Sequence, residues 1–287
     1  STLIKNIHKT CNKIIRILKN NKVVITHGNG PEIGFLALQN EIAKKEVPAM
    51  PLDILGAESQ ALIGYLFEEQ LLNELRKHKI HTPVANVVTQ VLVNKHDKAF
   101  QHPTKPIGPF YTKKQSLALV KKGFKVVNDA NRGYRRVVPS PLPLKIIEID
   151  TIKNLFEQGT IVIAAGGGGV PVYYNHGKLQ GVEAVIDKDY ASQILANSIK
   201  AEILLILTGT PYIYLNYQKK NQKTLYKLTT KQAQKYLNAG EFQEGNIKPK
   251  LQAAVNFIKK GGKKAIITSP ENAVKALNNK KGTIIVK

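Results

Sequence analysis

With 287 residues, 43% of them hydrophobic and 22% charged, the chain is long enough to bury a sizeable core and too apolar for disorder. No apolar run approaches the about 18 residues of a membrane span, and lysines and asparagines interrupt the first twenty residues where a signal peptide would be apolar, so a cytoplasmic protein with no membrane partner is expected. The formal charge of +23 attracts anions, but only five of the 43 basic residues are arginine and the lysines are scattered over every predicted helix, which argues against a specific nucleic-acid partner.

Apolar residues at helical spacing predict an amphipathic helix over 3–20, with Cys11 on its apolar stripe as a packing residue. A strand over 22–27 then leads through His27-Gly-Asn-Gly-Pro-Glu-Ile-Gly34 into a helix over 33–45, and a long helix follows over 54–77. Between about 88 and 146 the rhythm breaks. Six of the fourteen prolines fall there, together with the strand-like runs Val87–Val93 and Tyr134–Val138, which predicts an insertion with its own small sheet. Its stiff segment Gln101-His-Pro-Thr-Lys-Pro-Ile-Gly-Pro-Phe110 reads either as a rigid spacer or as a lid presenting a charged residue.

Strand and helix alternate again from 160 onward. Strands are predicted over 160–165, 203–207, 265–268 and 283–286, and helices near 189–199, 230–238, 250–260 and 271–278. Short apolar strands between helices imply an α/β protein whose mostly parallel sheet is covered on both faces.

Two strand-to-glycine junctions point toward chemistry. Four consecutive glycines, Gly166, Gly167, Gly168 and Gly169, follow the apolar run ending at Ala165, and Gly28-Asn29-Gly30 opens the second predicted helix. Bare backbone lets an anionic group approach N–H donors, and a helix N-terminus adds partial positive charge. Glycine also serves tight turns that hold no ligand. The segment Leu207-Thr-Gly-Thr-Pro-Tyr212, with Tyr217 beyond it, follows a strand end, where open parallel sheets place ligands; Tyr217 reads equally as a base-stacking or a surface tyrosine. Asp187-Lys-Asp189 reads by itself as a charged helix cap, Lys105 as a solvated loop lysine, and His27 as a structurally held histidine outside any catalytic set.

Taken together, an ordered set of motifs is similar to the carbamate kinases of the amino acid kinase superfamily. It comprises His27-Gly-Asn-Gly-Pro31, Pro51-Leu-Asp-Ile-Leu-Gly-Ala57, Val88-Thr-Gln-Val-Leu-Val93, Pro103-Thr-Lys-Pro-Ile-Gly-Pro-Phe-Tyr111, Arg135-Arg-Val-Val-Pro-Ser-Pro141, Ala165-Gly-Gly-Gly-Gly-Val-Pro-Val172 and Glu183-Ala-Val-Ile-Asp-Lys-Asp189. The third, fourth and fifth lie in the proline-rich insertion.

The resemblance implies an open three-layer αβα sandwich forming one domain over 1–287, with a protruding lid subdomain over 88–146 and a nucleotide-binding half over roughly 160–287. It implies reversible phosphoryl transfer between carbamoyl phosphate and ADP, giving ATP and carbamate, run toward ATP at the end of arginine catabolism by a homodimer with magnesium. Lys188 would bridge the transferring phosphoryl group, and Asp189 would orient that lysine or hold magnesium; no metal ligand set is assigned. Lys105 would be the lid lysine. Gly28, Asn29 and Gly30 would supply donors to the substrate, as would Gly166 to Gly169. Thr208, Gly209, Tyr217 and Lys250 fall on the nucleotide side.

Four departures from the family pattern qualify these expectations. Carbamate kinases open with a strand ending in a Gly-Gly-Asn-Ala turn, whereas this sequence starts at Ser1 in the following helix, so a preceding stretch is expected. Leu142 replaces a lysine, Gly209 stands for an aspartate, and Lys248 for a glycine. They motivate a second reading, a relative that binds phosphate ligands without turnover.

Overall fold

The computed structural model of the chain describes residues 2–129, 133–242 and 246–287. Its helices are α1 (Thr2–Leu18), α2 (Gly30–Ala43), α3 (Leu52–Lys77), α4 (Lys113–Lys121), α5 (Ile149–Glu157), α6 (Lys188–Ser198), α7 (Thr230–Asn238), α8 (Ile247–Lys259) and the short α9 (Ala273–Leu277). The strands at Ile203–Leu207 and Thr283–Val286 fall where periodicity places them. Helix α2 begins three residues before its predicted start, because Pro31 in the first turn suits a helix N-terminus and loses no hydrogen bond there.

Three ladders make up the main sheet region. Val24–Ile25 and Val84–Asn86 flank Ile161–Ile163, both in parallel. Gln90–Val93 runs parallel to Val170–Asn175, with Pro143–Ile146 and Lys178–Gly181 antiparallel at the two edges. Ile203–Leu207 runs parallel to Lys264–Thr268, Thr283–Val286 runs antiparallel to the latter, and Lys227–Thr229 closes that ladder in parallel. Five of these eight pairings are parallel, as the alternation of short strands and helices requires.

The layering is legible in a single strand. Ile161 and Ile163 join the apolar cluster of α1 and α3, which contains Cys11, Ile63 and Leu71. Val162, between them, joins the opposite cluster with Ile152 of α5 and Leu195 of α6. Successive side chains of a strand point to opposite faces, so one strand buried on both faces means three layers. All three of its residues are at most 3% exposed. The Cys11 thiol is fully buried, and burial together with the Glu74 carboxylate pushes its pKa up to about 12, which makes it a packing residue.

Within the proline-rich segment, Lys105–Tyr111, Tyr134–Val138 and Lys125–Asn128 form a separate three-stranded antiparallel sheet accompanied by α4. The ends of that segment, Gln90–Val93 and Pro143–Ile146, pair with each other in the main region instead. Ile107 and Val138 of the small sheet meet Ile33 of α2 and Leu52 and Leu55 of α3 in their own apolar cluster.

Candidate active site

The start of α6 gathers the charged residues. Asp187 is its N-cap and accepts from the Asp189 amide at 2.9 Å, which satisfies one of the orphan donors of the first turn. The same carboxylate holds Lys105 Nζ at 2.6 Å, so the first residue of the small sheet reaches across to the main body. Asp189 holds Lys250 Nζ, from the first turn of α8, at 2.8 Å. Both aspartates are buried residues, at most 9% exposed overall.

Lys188 lies between these two pairs. Its side chain runs over Gly28: a Cβ there would meet Lys188 Cδ at 3.5 Å and Nζ at 3.6 Å. Burial pushes the Lys188 pKa down; Asp189 opposes that shift and Lys250 adds to it. The Asp187 carboxyl shows the reverse balance, since burial raises it but the Lys105 ammonium and the Asp189 amide bring it below its ordinary value. Three ammonium groups thus share two carboxylates, leaving one positive charge in excess beside the α2 N-terminus. That arrangement suits an oligoanion, with helix dipole and lysines acting in the same sense.

The two glycine loops differ in what they offer. Cβ atoms at Gly166, Gly167, Gly168 and Gly169 would come under 3.0 Å from the His27 ring, the Asn29 amide, the Ile186 carbonyl and the Val91 side chain, respectively. The run is glycine because protein groups press on it from four sides. Its amides are also largely committed: Gly167 donates to His27 O, Gly168 to Ala165 O and Gly169 to Gly166 O. By contrast Gly28 has only ordinary contacts and Gly30 open space where a Cβ would stand.

Asn29 spends its side-chain amide inside the protein, donating to Ser59 Oγ of α3 at 2.7 Å, so it braces the loop. His27 is 7% exposed and stacks on Phe67. Burial drives its pKa down to about 4; its contact with the Gly28 carbonyl opposes the shift and the Lys188 charge adds to it. The ring is neutral at physiological pH.

Of the predicted site residues, Lys105, Lys188, Asp189, Lys250 and Gly28 converge. Thr208, Gly209 and Tyr217 make other contacts. Thr208 extends the Ile203–Leu207 ladder by donating to Thr268 O, Gly209 is exposed, and Tyr217 is 52% exposed against Tyr214. Asp187, absent from the predicted set, ties the small sheet to α6. Its local sequence signals, the Asp-x-Asp spacing of a helix cap and its place in the Glu183–Asp189 motif, carry no hint of the distant Lys105.

The amino acid kinase family matches residues 2–269 of the chain. The carbamate kinase of Thermococcus kodakarensis is 46% identical, the match covering 99% of this chain and 92% of that protein. That of Staphylococcus haemolyticus is also 46% identical, over 99% and 93%. Among solved structures, the carbamate kinase of Giardia lamblia bound to AMP-PNP superposes with a TM-score of 0.91 at 40% identity, over 99% of this chain and 91% of that one. The same enzyme bound to citric acid superposes with a TM-score of 0.94.

Proposed function

The chain belongs to the amino acid kinase family and within it to the carbamate kinases, and we propose that Lys188, Lys105 and Lys250 are the groups through which it performs phosphoryl transfer. It is a phosphotransferase acting on carbamate and carbamoyl phosphate, with a nucleotide as co-substrate. The observation that carries the assignment is the convergence of three lysines and two aspartates on the first turn of α6, against the α2 N-terminus.

The reaction breaks the P–O bond of carbamoyl phosphate and forms a new one to a β-phosphate oxygen of ADP, releasing carbamate. The acceptor oxygen is already ionised, so no general base is required and the neutral His27 has no proton to take. Catalysis then rests on alignment and on neutralising charge at the transferring oxygens. Lys188, beside Gly28 at the α2 N-terminus, serves the phosphoryl group. Lys105 reaches it from the lid sheet, and Lys250 serves the nucleotide phosphates from the first turn of α8. Asp187 and Asp189 hold these lysines extended and spaced. The four-glycine run contributes the Gly166 amide and packs against Asn29 and His27.

Magnesium fits this site as a substrate-borne ion. Among the described residues there is no cluster of three or more potential metal ligands. Magnesium, however, commonly rests on one or two carboxylates with substrate phosphates and waters completing its shell. Asp189 is the carboxylate that would hold it, and bound there it would neutralise phosphate charge.

The base of the nucleotide lies toward Thr208, Gly209 and Tyr217, beyond the strand Ile203–Leu207. Flux toward ATP is favoured because carbamate decomposes to ammonia and carbon dioxide. No helix among the described residues is long and apolar enough to cross a membrane, which fits a cytoplasmic enzyme. A homodimer is supported by the exposed apolar stripe Ile54, Leu62, Tyr65 and Leu72 along α3.

The test is ATP formation from ADP and carbamoyl phosphate with magnesium, comparing the wild type with Lys188→Ala. Removing a preorganised electrostatic group of this kind costs about 10²–10³-fold in kcat. A loss of less than tenfold would remove Lys188 from its role.

A further inference from the structure

The helix that carries the Gly28-Asn29-Gly30 loop and the strand that carries Lys105 touch through bare backbone. Gly34 is buried in the second turn of α2, and a Cβ there would fall inside the backbone of Gly108, closer than real Cβ atoms come. Gly108 in turn has φ +73°, a left-handed conformation natural to glycine. The two elements approach so closely because Gly34 has no side chain, while Gly108 supplies the left-handed conformation of the strand at that point.

The small sheet is shaped around this contact. Its ladder runs in register from Lys105 opposite Val138 to Ile107 opposite Arg136, then breaks and resumes at Tyr111 opposite Tyr134. Gly108, Pro109 and Phe110 stand there against the single Arg135, two residues more than a regular ladder holds. Arg135 Nη2 donates to Gly108 O at 2.9 Å and holds the bulge from the strand side while α2 holds it from the other. Such bulges re-aim a strand locally. Ile33 and Ile107, the neighbours of the two glycines, are each 1% exposed in a shared apolar cluster. Lys122 on the small subdomain and Glu41 on α2 add an ion pair at 2.8 Å.

From this joint two arms lead to one place. Six residues before Gly34, Gly28 lies under Lys188. Three residues before Gly108, Lys105 reaches Asp187. The arms therefore end on consecutive residues at the start of α6. We infer that the Gly34–Gly108 backbone contact sets the position of Lys105 relative to Lys188 and the α2 N-terminus, making Gly34 and Gly108 positioning residues for phosphoryl transfer. The inference rests on the function proposed above and adds residues that touch neither substrate nor lysine.

A double-mutant cycle tests it. Wild type, Gly34→Ala, Lys105→Met and the double variant are compared in kcat and KM for ATP formation, with the thermal midpoint of each recorded. A displacement of about 1 Å at a reacting centre costs roughly 10²-fold, so Gly34→Ala is expected to lower kcat by about that factor in the wild type and by less than about twofold in the Lys105→Met background. An equal loss in both backgrounds, or no loss in the first, overturns the inference, because the contact would then serve packing or nothing. If Lys105→Met is itself fully active, the assignment of Lys105 fails and the inference falls with it, whatever Gly34→Ala does. Should Gly34→Ala not fold, Gly108→Ala takes its place in the cycle; its Cβ would stand in ordinary contact 3.4 Å from Gly34 Cα, so the displacement it causes comes from the strain of a side chain at φ +73°.

Discussion

Lys105 and Asp187 lie 82 residues apart in the chain and 2.6 Å apart in the fold, joining the first residue of the small sheet to the first cap of α6. The pair is partly buried, with the Asp187 side chain 12% exposed. Removing the lysine leaves a carboxylate in a site that by itself raises its pKa. Lys105→Met is therefore expected to cost about 1–3 kcal/mol at pH 7.

The sign of its pH dependence follows from linkage. Asp187 titrates below its ordinary value in the folded wild type, so its stabilising contribution is present above the unfolded pKa and disappears as pH falls through the folded one. The gap between wild type and Lys105→Met should be widest near neutrality and narrow below pH 3.8. Urea unfolding of both proteins at pH 7 and pH 3 measures it. A gap that does not narrow in acid would mean that Asp187 is not the group responsible.

The glycines should divide into two classes. Alanine at Gly166, Gly167 or Gly168 forces a Cβ against His27, Asn29 or the Ile186 carbonyl, and overpacking of that kind costs about 1–3 kcal/mol or more. Alanine at Gly28 or Gly30 meets ordinary contacts or open space, so the thermal midpoint should move little while KM for carbamoyl phosphate rises. Thermal melts beside steady-state kinetics separate the classes. Unchanged KM in Gly28→Ala and Gly30→Ala would remove the α2 N-terminus from the substrate site.

Much of this arrangement is readable from sequence, for physical reasons. Runs such as Ile203–Leu207 and Thr283–Val286 are local patterns, and local periodicity fixes them. The layering follows from strand–helix alternation. What periodicity does not carry is which distant residues meet: nothing in Gln101–Phe110 announces that Lys105 ends on Asp187, or that Gly108 lies on Gly34. The four-glycine run shows the same limit. A sequence displays glycine's freedom, whereas only packing reveals that His27, Asn29, Ile186 and Val91 occupy the space its side chains would take.

His27 gives the molecule an acid sensitivity outside the carboxylate range. Its pKa falls from an ordinary 6.5 to about 4 on folding, through burial first and the neighbouring Lys188 charge last. Between those values the unfolded chain binds a proton that the folded chain does not, so stability is complete above pH 6.5 and declines as pH falls toward 4. The shift corresponds to about 3 kcal/mol at the acid end. Unfolding free energy measured from pH 7.5 to 4.5 should show this slope, and His27→Gln should flatten it even if the variant is less stable throughout. An unflattened slope would assign the sensitivity to another group.

The α3 stripe makes the remaining prediction. Leu55, Ile63, Leu71 and Leu75 face the core, whereas Ile54 (42%), Leu62 (44%), Tyr65 (61%) and Leu72 (44%) stand exposed on the other side at helical spacing. Apolar residues scattered singly over a surface need no explanation, but four along one helix face, interleaved with the exposed Glu58 and Glu69, give that face an apolar content suited to association. If this face joins two copies, a charge at Leu62 would be buried twice over in a two-fold interface, since the same patch meets itself. Leu62→Glu should therefore shift the mass by sedimentation from twice the chain's 31.8 kDa to that of a monomer. Its thermal midpoint at high dilution should stay close to that of the wild type, because Leu62 lies outside the core of its own chain. A variant that remains dimeric would direct attention to another surface, and a wild type that is already monomeric would remove the dimer itself.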